Sequence, residues 1–440
     1  MTKPNPLHAP ASPRAKHQAR PTQAPAGFAT QLRWGKFSVA QFLKAYWQQK
    51  PLLIRGLVPA EAVDSGLSDL LGFALSDSVD CRLISHQNDR WTMEHGPFGR
   101  LPSLRRRNWT VLLQGMDRQL EQAYRLRMAF NFLPYARIDD VMISVASDGG
   151  GVGPHLDAYD VFLVQGLGRR RWRWGYQSDQ RFQHDKPLKL LQQFDPQQEA
   201  ILEPGDALYL PPRWAHDGVA LEPCSTWSVG FRAPSRHEFL QHFLLEAAES
   251  VSGDDPRFQD RTLVASKQPG RIPSALAEQL QRWAMDFRAD KPTVMLALGR
   301  FLSEPAANAW FDAPPRNLGT EQWLKAAKRQ GIALHPASRM VYDRQRVWIN
   351  GEQGGSPAPL LRALADQRHL SAAEFKSFLG LTDLNALSNA PRTTPELSKA
   401  AGLASECKKS VEIKPLLDSL MTWYSNGWIS FFSEKHSQQI

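Results

Sequence analysis

Cysteine is scarce in this chain: Cys81, Cys224 and Cys407 are the only three in 440 residues, and no two of them form a CxxC pair. That excludes a cysteine-based zinc finger and a disulfide scaffold, and it fits a reducing compartment such as the cytoplasm. Long apolar runs are missing as well. No stretch approaches the ~20 apolar residues that cross a bilayer, so no membrane partner is expected. Nucleotide-binding loops are absent too: there is no Walker sequence, and the glycine run at 149–153 fails the GxGxxG pattern because Pro154 takes the last glycine position. Neither an internal repeat nor a heptad run occurs. The first thirty residues lack any acidic side chain but hold Lys3, Arg14, Lys16, Arg20 and six prolines. This segment, 1–30, reads as a disordered basic tail; its prolines oppose the amphipathic helix of a transit peptide, and no apolar core marks a secretory signal.

What is present is an ordinary globular composition, with 42% hydrophobic and 22% charged residues, over a length that allows two or three domains. The formal charge of +9 would attract a polyanion such as RNA. Part of that excess sits in the tail, so direct nucleic-acid binding is not expected.

Along the chain, "SVAQFLKAYWQQKP" places Phe42, Leu43, Tyr46 and Trp47 on one helical face ahead of an apolar strand "LLIRGLV". "WTVLLQGMDRQLEQAYRLRMAF" reads as one further helix. Beyond Pro134 the texture changes to short apolar or alternating runs, "DDVMISVAS", "YDVFLVQG", "RRWRWG", "DALYLP" and "TWSVGFRAP", as in a barrel or sandwich. Helical patterns return over 237–309, consistent with a dimerisation bundle or with a cap on the barrel. The last unit, 310–440, combines helices with a hairpin signal at Asn350 and Gly351, the pattern of a winged helix.

The chemistry concentrates in "GPHLDAYD". On a strand, residues i and i+2 face the same way, so His155 and Asp157 can offer an imidazole and a carboxylate to one ion. An HxD tripeptide arises easily by chance and needs a third ligand. His216, in "EPGDALYLPPRWAHDG", lies where a neighbouring strand ends or the next begins. Two histidines and one carboxylate make the facial triad of non-haem Fe(II) oxygenases, which leaves positions open for a co-substrate and oxygen. If the co-substrate is 2-oxoglutarate, its distal carboxylate needs a buried cation. In "GRRRWRWG", Arg170 shares a strand face with Trp172 and Trp174, where a cation is costly unless it meets an anion. Arg170 is therefore the candidate anchor, although stacking on tryptophan in a solvated hairpin is an alternative.

The blocks "GGGVGPHLDAYDVFLVQGLGRRRWRWG", "EPGDALYLPPRWAHDGVAL" and "STWSVGFRAP", with the opening "FLKAYWQQKPLLIRG", resemble the bacterial JmjC-type ribosomal oxygenases, the ribosomal protein L16 arginine 3-hydroxylases. The resemblance covers nearly all of the chain after residue 30. It implies an α+β chain with a double-stranded β-helix (JmjC, cupin-like) catalytic core at 31–236, a helical dimerisation segment at 237–309 and a winged-helix-like domain at 310–440. By position, His155, Asp157 and His216 match the family's iron ligands and Arg170 its 2-oxoglutarate anchor. The implied activity is Fe(II)-, 2-oxoglutarate- and O2-dependent hydroxylation of the β-carbon of an arginine in ribosomal protein L16, by a cytoplasmic homodimer. Related members act on histidine, and others in the wider JmjC group remove N-methyl groups. With the polypeptide substrate that the resemblance implies, the glycines before Pro154 would let the chain turn sharply beside the metal and leave room for that substrate, and Asp148, at the lip of that turn, is a candidate partner for its cationic guanidinium, against the simpler reading of a turn residue. A catalytically inactive barrel carrying a winged-helix binding module is the rival from another class; a preserved triad with Arg170 argues against it.

Overall fold

The computed structural model describes residues 30–87, 90–249, 257–259, 272–286, 289–382 and 413–432. The basic tail before residue 30 and Cys407 lie outside the described residues. Eleven strands build the first unit: β1 Leu52–Ile54, β2 Cys81–Gln87, β3 Arg90–His95, β4 Trp109–Leu113, β5 Ile138–Ala146, β6 Asp160–Gln165, β7 Arg170–Tyr176, β8 Gln198–Leu202, β9 Ala207–Leu210, β10 Trp214–Ala220 and β11 Cys224–Phe231. Eight of them pair in the order β1-β9-β6-β11-β5-β4-β2-β3, and the other three pair as β10-β7-β8. The segment 149–155 joins the smaller sheet: the Gly149 and His155 amides donate to the carbonyls of Ala220 and His216. Two sheets facing each other in this way make the double-stranded β-helix.

Strand alternation decides what each face buries. Val141, Ile143 and Val145 of β5, with Phe162, Tyr209, Trp227 and Phe231, point outward from the large sheet and pack beneath α1 (Val39–Ala45), α2 (Leu67–Phe73) and α3 (Glu121–Met128). Phe42 is wholly buried there, and burying a side chain of that size contributes about 2–3 kcal/mol. The intervening residues point into the barrel, where Val161, Leu163, Trp172, Trp174, Leu202, Leu208 and Leu210 form a separate apolar cluster. Helix α1 starts where the sequence pattern places it, on a capping box in which Ser38 and Gln41 satisfy each other's backbone amides.

One expectation fails. The stretch 109–130 is not a single helix: Trp109–Leu113 is a strand, Gly115 turns the chain at φ 66° into a 3-10 turn at Met116–Arg118, and only Glu121–Met128 is α-helical. All five residues of β4 are buried because the strand lies inside the large sheet with both faces covered, so "WTVLL" shows no alternation from which a strand could be read.

After the barrel come α4 (Arg236–Glu249), α5 (Ser274–Asp286) and α6 (Lys291–Ser303). Helix α4 packs on α6 through Phe239, Phe243 and Phe301, with Arg300 bonded to Glu246 at 2.7 Å. The C-terminal unit has its own core around Trp323, Leu360, Leu364, Leu420 and Trp423. Its small sheet contains the hairpin Val347–Ile349 with Glu352–Gln353, joined by Asn350 and Gly351, both at positive φ as a two-residue turn requires. Arg368 ties this unit to the barrel, donating to the His335 and Ser338 carbonyls at 3.0 and 2.9 Å and to the Tyr124 hydroxyl at 3.1 Å. No helix among the described residues is long and apolar enough to cross a membrane.

Candidate metal and co-substrate site

His155, Asp157 and His216 come together. One potential ligand atom from each lies within 4.8 Å of the others, the only such group among the described residues. His155 and His216 are joined as an antiparallel bridge, which sets their rings 4.2 Å apart between centroids at an interplanar angle of 57°. Asp157, two residues on, brings Oδ2 to 3.5 Å from His216 Nε2. Its carbonyl accepts the Arg213 amide at 3.0 Å, pinning the loop on the far side.

Both imidazoles are oriented by the backbone. His155 Nδ1 donates to the Gly153 carbonyl at 2.9 Å and His216 Nδ1 to the Trp214 carbonyl at 3.0 Å, which leaves each Nε2 with its lone pair toward the shared space. Burial, with His155 adding to it, pushes His216 down to about 4, so it is a neutral ligand at physiological pH. Two imidazoles and a carboxylate brought to one side suit Fe(II) with open positions better than a closed zinc site.

Arg170, Trp172 and Trp174 all point into the barrel, as their spacing predicts, and all are buried. Arg170 is only 3% exposed, yet no carboxylate pairs with it among the described residues. Its Nε has no hydrogen-bond partner, and Nη2 reaches only Cys224 Sγ at 3.7 Å. The indole Nε1 atoms of Trp172 and Trp174 are likewise unpartnered. A cation and two donors without acceptors in an apolar interior fit a carboxylate-bearing ligand, because the charge would otherwise be expensive to bury.

The glycine run works differently from the expectation of empty room. A Cβ on Gly151 would lie 2.5 Å from the Gly218 carbonyl, and one on Gly153 2.7 Å from Leu190 and 3.1 Å from Trp91. The protein's own chain fills that space, and Gly153 also holds φ at 76°. Asp148 stands at the start of the turn, but its carboxylate is paired with Arg107 at 2.7 Å. Sequence reasoning passed over two residues near the site. Tyr159, 44% exposed, stands close enough to Asp157 for that charge to push its phenol up. Thr110 is buried with an unpartnered hydroxyl inside the stretch taken for helix.

Comparison with known proteins agrees with this architecture. Residues 125–239 match the JmjC domain and residues 286–390 the ROXA-like winged helix. The chain is 35% identical over 340 residues to the ribosomal protein uL16 3-hydroxylase of Escherichia coli, covering 76% of this chain and 90% of that protein. It is 28% identical over 413 residues to a probable ribosomal oxygenase of Haemophilus influenzae, covering 88% and 94%. Among solved structures, E. coli YcfD superimposes with a TM-score of 0.71 at 29% identity, over 92% of this chain and all of that one. The complex of YcfD with cobalt and 2-oxoglutarate gives 0.70 at 28% identity, over 91% and 99%.

Proposed function

The chain belongs to the JmjC-domain ribosomal oxygenases, and from that premise we propose that it hydroxylates the β-carbon of an arginine in ribosomal protein L16 (uL16). It is a 2-oxoglutarate-dependent dioxygenase by family. In our reading His155, Asp157 and His216 hold Fe(II), and Arg170 takes the distal carboxylate of 2-oxoglutarate. The observation that carries this is the unpaired, buried guanidinium of Arg170 in the same barrel as a facial His-Asp-His group. A catalytically inactive barrel gains nothing from burying that charge.

When bound, Fe(II), 2-oxoglutarate and O2 supply an oxidant strong enough to hydroxylate an unactivated carbon, with succinate and carbon dioxide as by-products. The protein contributes position and dryness. The backbone carbonyls of Gly153 and Trp214 set the tautomers of the two imidazoles. Trp172 and Trp174 exclude water from the barrel wall beside them. Asp148, already paired with Arg107, would meet a substrate guanidinium only by sharing or exchanging that partner.

We further propose that two copies associate through α4 and α5, whose Leu244, Leu245 and Met285 are more than half exposed among the described residues, and that the protein works in the cytoplasm. Light scattering of the wild type against Leu244→Lys tests the first point: a dimer and a monomer, respectively, are expected. For the substrate, a peptide carrying the arginine-bearing loop of L16 is incubated with protein, Fe(II), 2-oxoglutarate and oxygen, and fragmented in the mass spectrometer. One added oxygen on arginine is the expected result. Addition on a histidine would reassign the target residue, and formaldehyde release from an N-methylated peptide would make the enzyme a demethylase.

A further inference from the structure

The positive charge of the chain sits only in part in the tail. Between Glu94 and Asp117 there is no acidic residue, and four arginines fall in that interval: Arg100, Arg105, Arg106 and Arg107. All four are exposed. Of these, only Arg107 forms an ion pair among the described residues, with Asp148 at 2.7 Å, so three guanidiniums of one loop have no carboxylate partner there.

The loop that carries them is held at several points. The Arg106 amide and the Trp109 indole donate to the Ser103 carbonyl at 2.9 and 3.2 Å, and the Arg105 amide donates to Ser103 Oγ at 3.3 Å. Leu101 and Leu104 pack onto the core that contains Trp109. Asn108 fastens the end of the loop to the barrel: its amide donates to the Asp148 carbonyl at 2.9 Å, and its carbonyl accepts the His86 amide at 3.0 Å. The arginines therefore stand on a fixed backbone, and a ligand has only their side chains to order.

The surroundings select the class of ligand. A membrane surface calls for apolar side chains beside the cations, and both leucines of this loop are turned onto the core. A cationic polypeptide is repelled by charge that is not neutralised. Several exposed guanidiniums, each a planar fork that matches a phosphate, suit a chain of phosphates. The loop adjoins Gly149, whose amide donates to the Ala220 carbonyl, whereas His155 lies at the other end of the same segment, bridged to His216. A phosphate chain at the Gly149 end leaves the His155 end to the polypeptide.

We propose that Arg105 and Arg106, with Arg100 of the same loop, form a docking surface for the sugar-phosphate backbone of RNA. The choice of RNA among polyanions rests on the ribosomal substrate proposed above, since a ribosomal protein is encountered together with the RNA it binds. Phosphate contacts fix position and carry no sequence information, so the surface accepts RNA of any sequence.

The test titrates the full-length protein into a labelled single-stranded RNA about 20 nucleotides long and reads anisotropy at several salt concentrations. Arg105→Gln combined with Arg106→Gln removes two charges and keeps the backbone bonds of the loop, so the thermal midpoint should not change. Losing two phosphate contacts should weaken binding about tenfold and lower the slope of log affinity against log salt by about 1.4. Arg14→Gln combined with Arg20→Gln removes as much charge from the tail and should have the smaller effect. Undiminished binding by the loop variant would overturn the proposal. So would a loss in the tail variant as large as in the loop variant, or displacement of the RNA by polyglutamate as readily as by unlabelled RNA of equal charge, which would mark a general anion patch. The kcat of the loop variant on the short L16 peptide should stay at the wild-type value. A wild type that binds RNA through this loop yet leaves the peptide unmodified would sink the hydroxylase reading and leave the RNA surface standing.

Discussion

Replacing Arg170 by methionine should make the ligand-free protein more stable and the ligand-bound protein less so. Methionine keeps the aliphatic stem against Trp172, whose ring lies 5.8 Å from the guanidinium, and discards a charge that is 3% exposed with only Cys224 Sγ in reach. Exchanging a buried ionic group for an apolar one of similar volume is often neutral or stabilising by about 1–4 kcal/mol. The case here is favourable because no partner charge is orphaned by the change. In a unit of this size each kcal/mol moves the midpoint by roughly 2–4 °C. The wild type, loaded with Mn(II) and given 2-oxoglutarate at about one hundred times its dissociation constant, should gain ~2.7 kcal/mol by mass action. The variant should gain almost nothing. Thermal unfolding by tryptophan fluorescence, with and without 2-oxoglutarate, reads both effects. A ligand-free variant that melts clearly below the wild type, or one that 2-oxoglutarate still stabilises fully, would refute the reasoning that this cation is held for an absent carboxylate.

Other consequences follow from packing and charge. Gly218→Ala would put a Cβ 2.6 Å from the ring of Trp172, which itself lies 5.8 Å from the His216 ring; overpacking of this kind costs about 1–3 kcal/mol. A lower melting midpoint and weaker Mn(II) binding are expected, both partly restored by adding Trp172→Phe, and an unchanged metal affinity would show that the indole does not buttress His216. His335 lies at the junction between barrel and C-terminal unit, where burial first and the Arg368 cation second hold it down to about 4. The unfolded chain, with its histidine near 6.5, binds the proton more readily, so this contribution to stability is complete above about pH 6.5 and is lost as pH falls toward 4. His335→Gln should flatten the slope of unfolding free energy against pH in that window, and an identical slope in both proteins would remove His335 from the account.

The grouping of His155, Asp157 and His216 and the buried, inward placement of Arg170 were legible in the sequence because each depends on local rules: period-two alternation, the turn residues Glu203 to Asp206 before β9, and the prolines after it. Thr110 was not legible. Its strand is buried on both faces, so it carries no alternation, and "WTVLL" runs straight into a helical pattern with only Gly115 between them. The glycines were visible as a turn, but their close packing against Gly218, Leu190 and Trp91 depends on segments distant in the chain, which no local pattern encodes. The Asp148 pairing with Arg107, forty-one residues away, was hidden for the same reason.

The central claim is that this barrel activates molecular oxygen at His155, Asp157 and His216 and delivers it to a ribosomal protein. Its most direct test is intact mass spectrometry of the L16 loop peptide after incubation with protein, Fe(II) and 2-oxoglutarate under isotopically heavy dioxygen, with His155→Ala in parallel. The account predicts one heavy oxygen in the peptide and none with the variant. Peptide left unmodified by a wild type that binds both Fe(II) and 2-oxoglutarate, or oxygen incorporated with His155→Ala as readily as with the wild type, would contradict it.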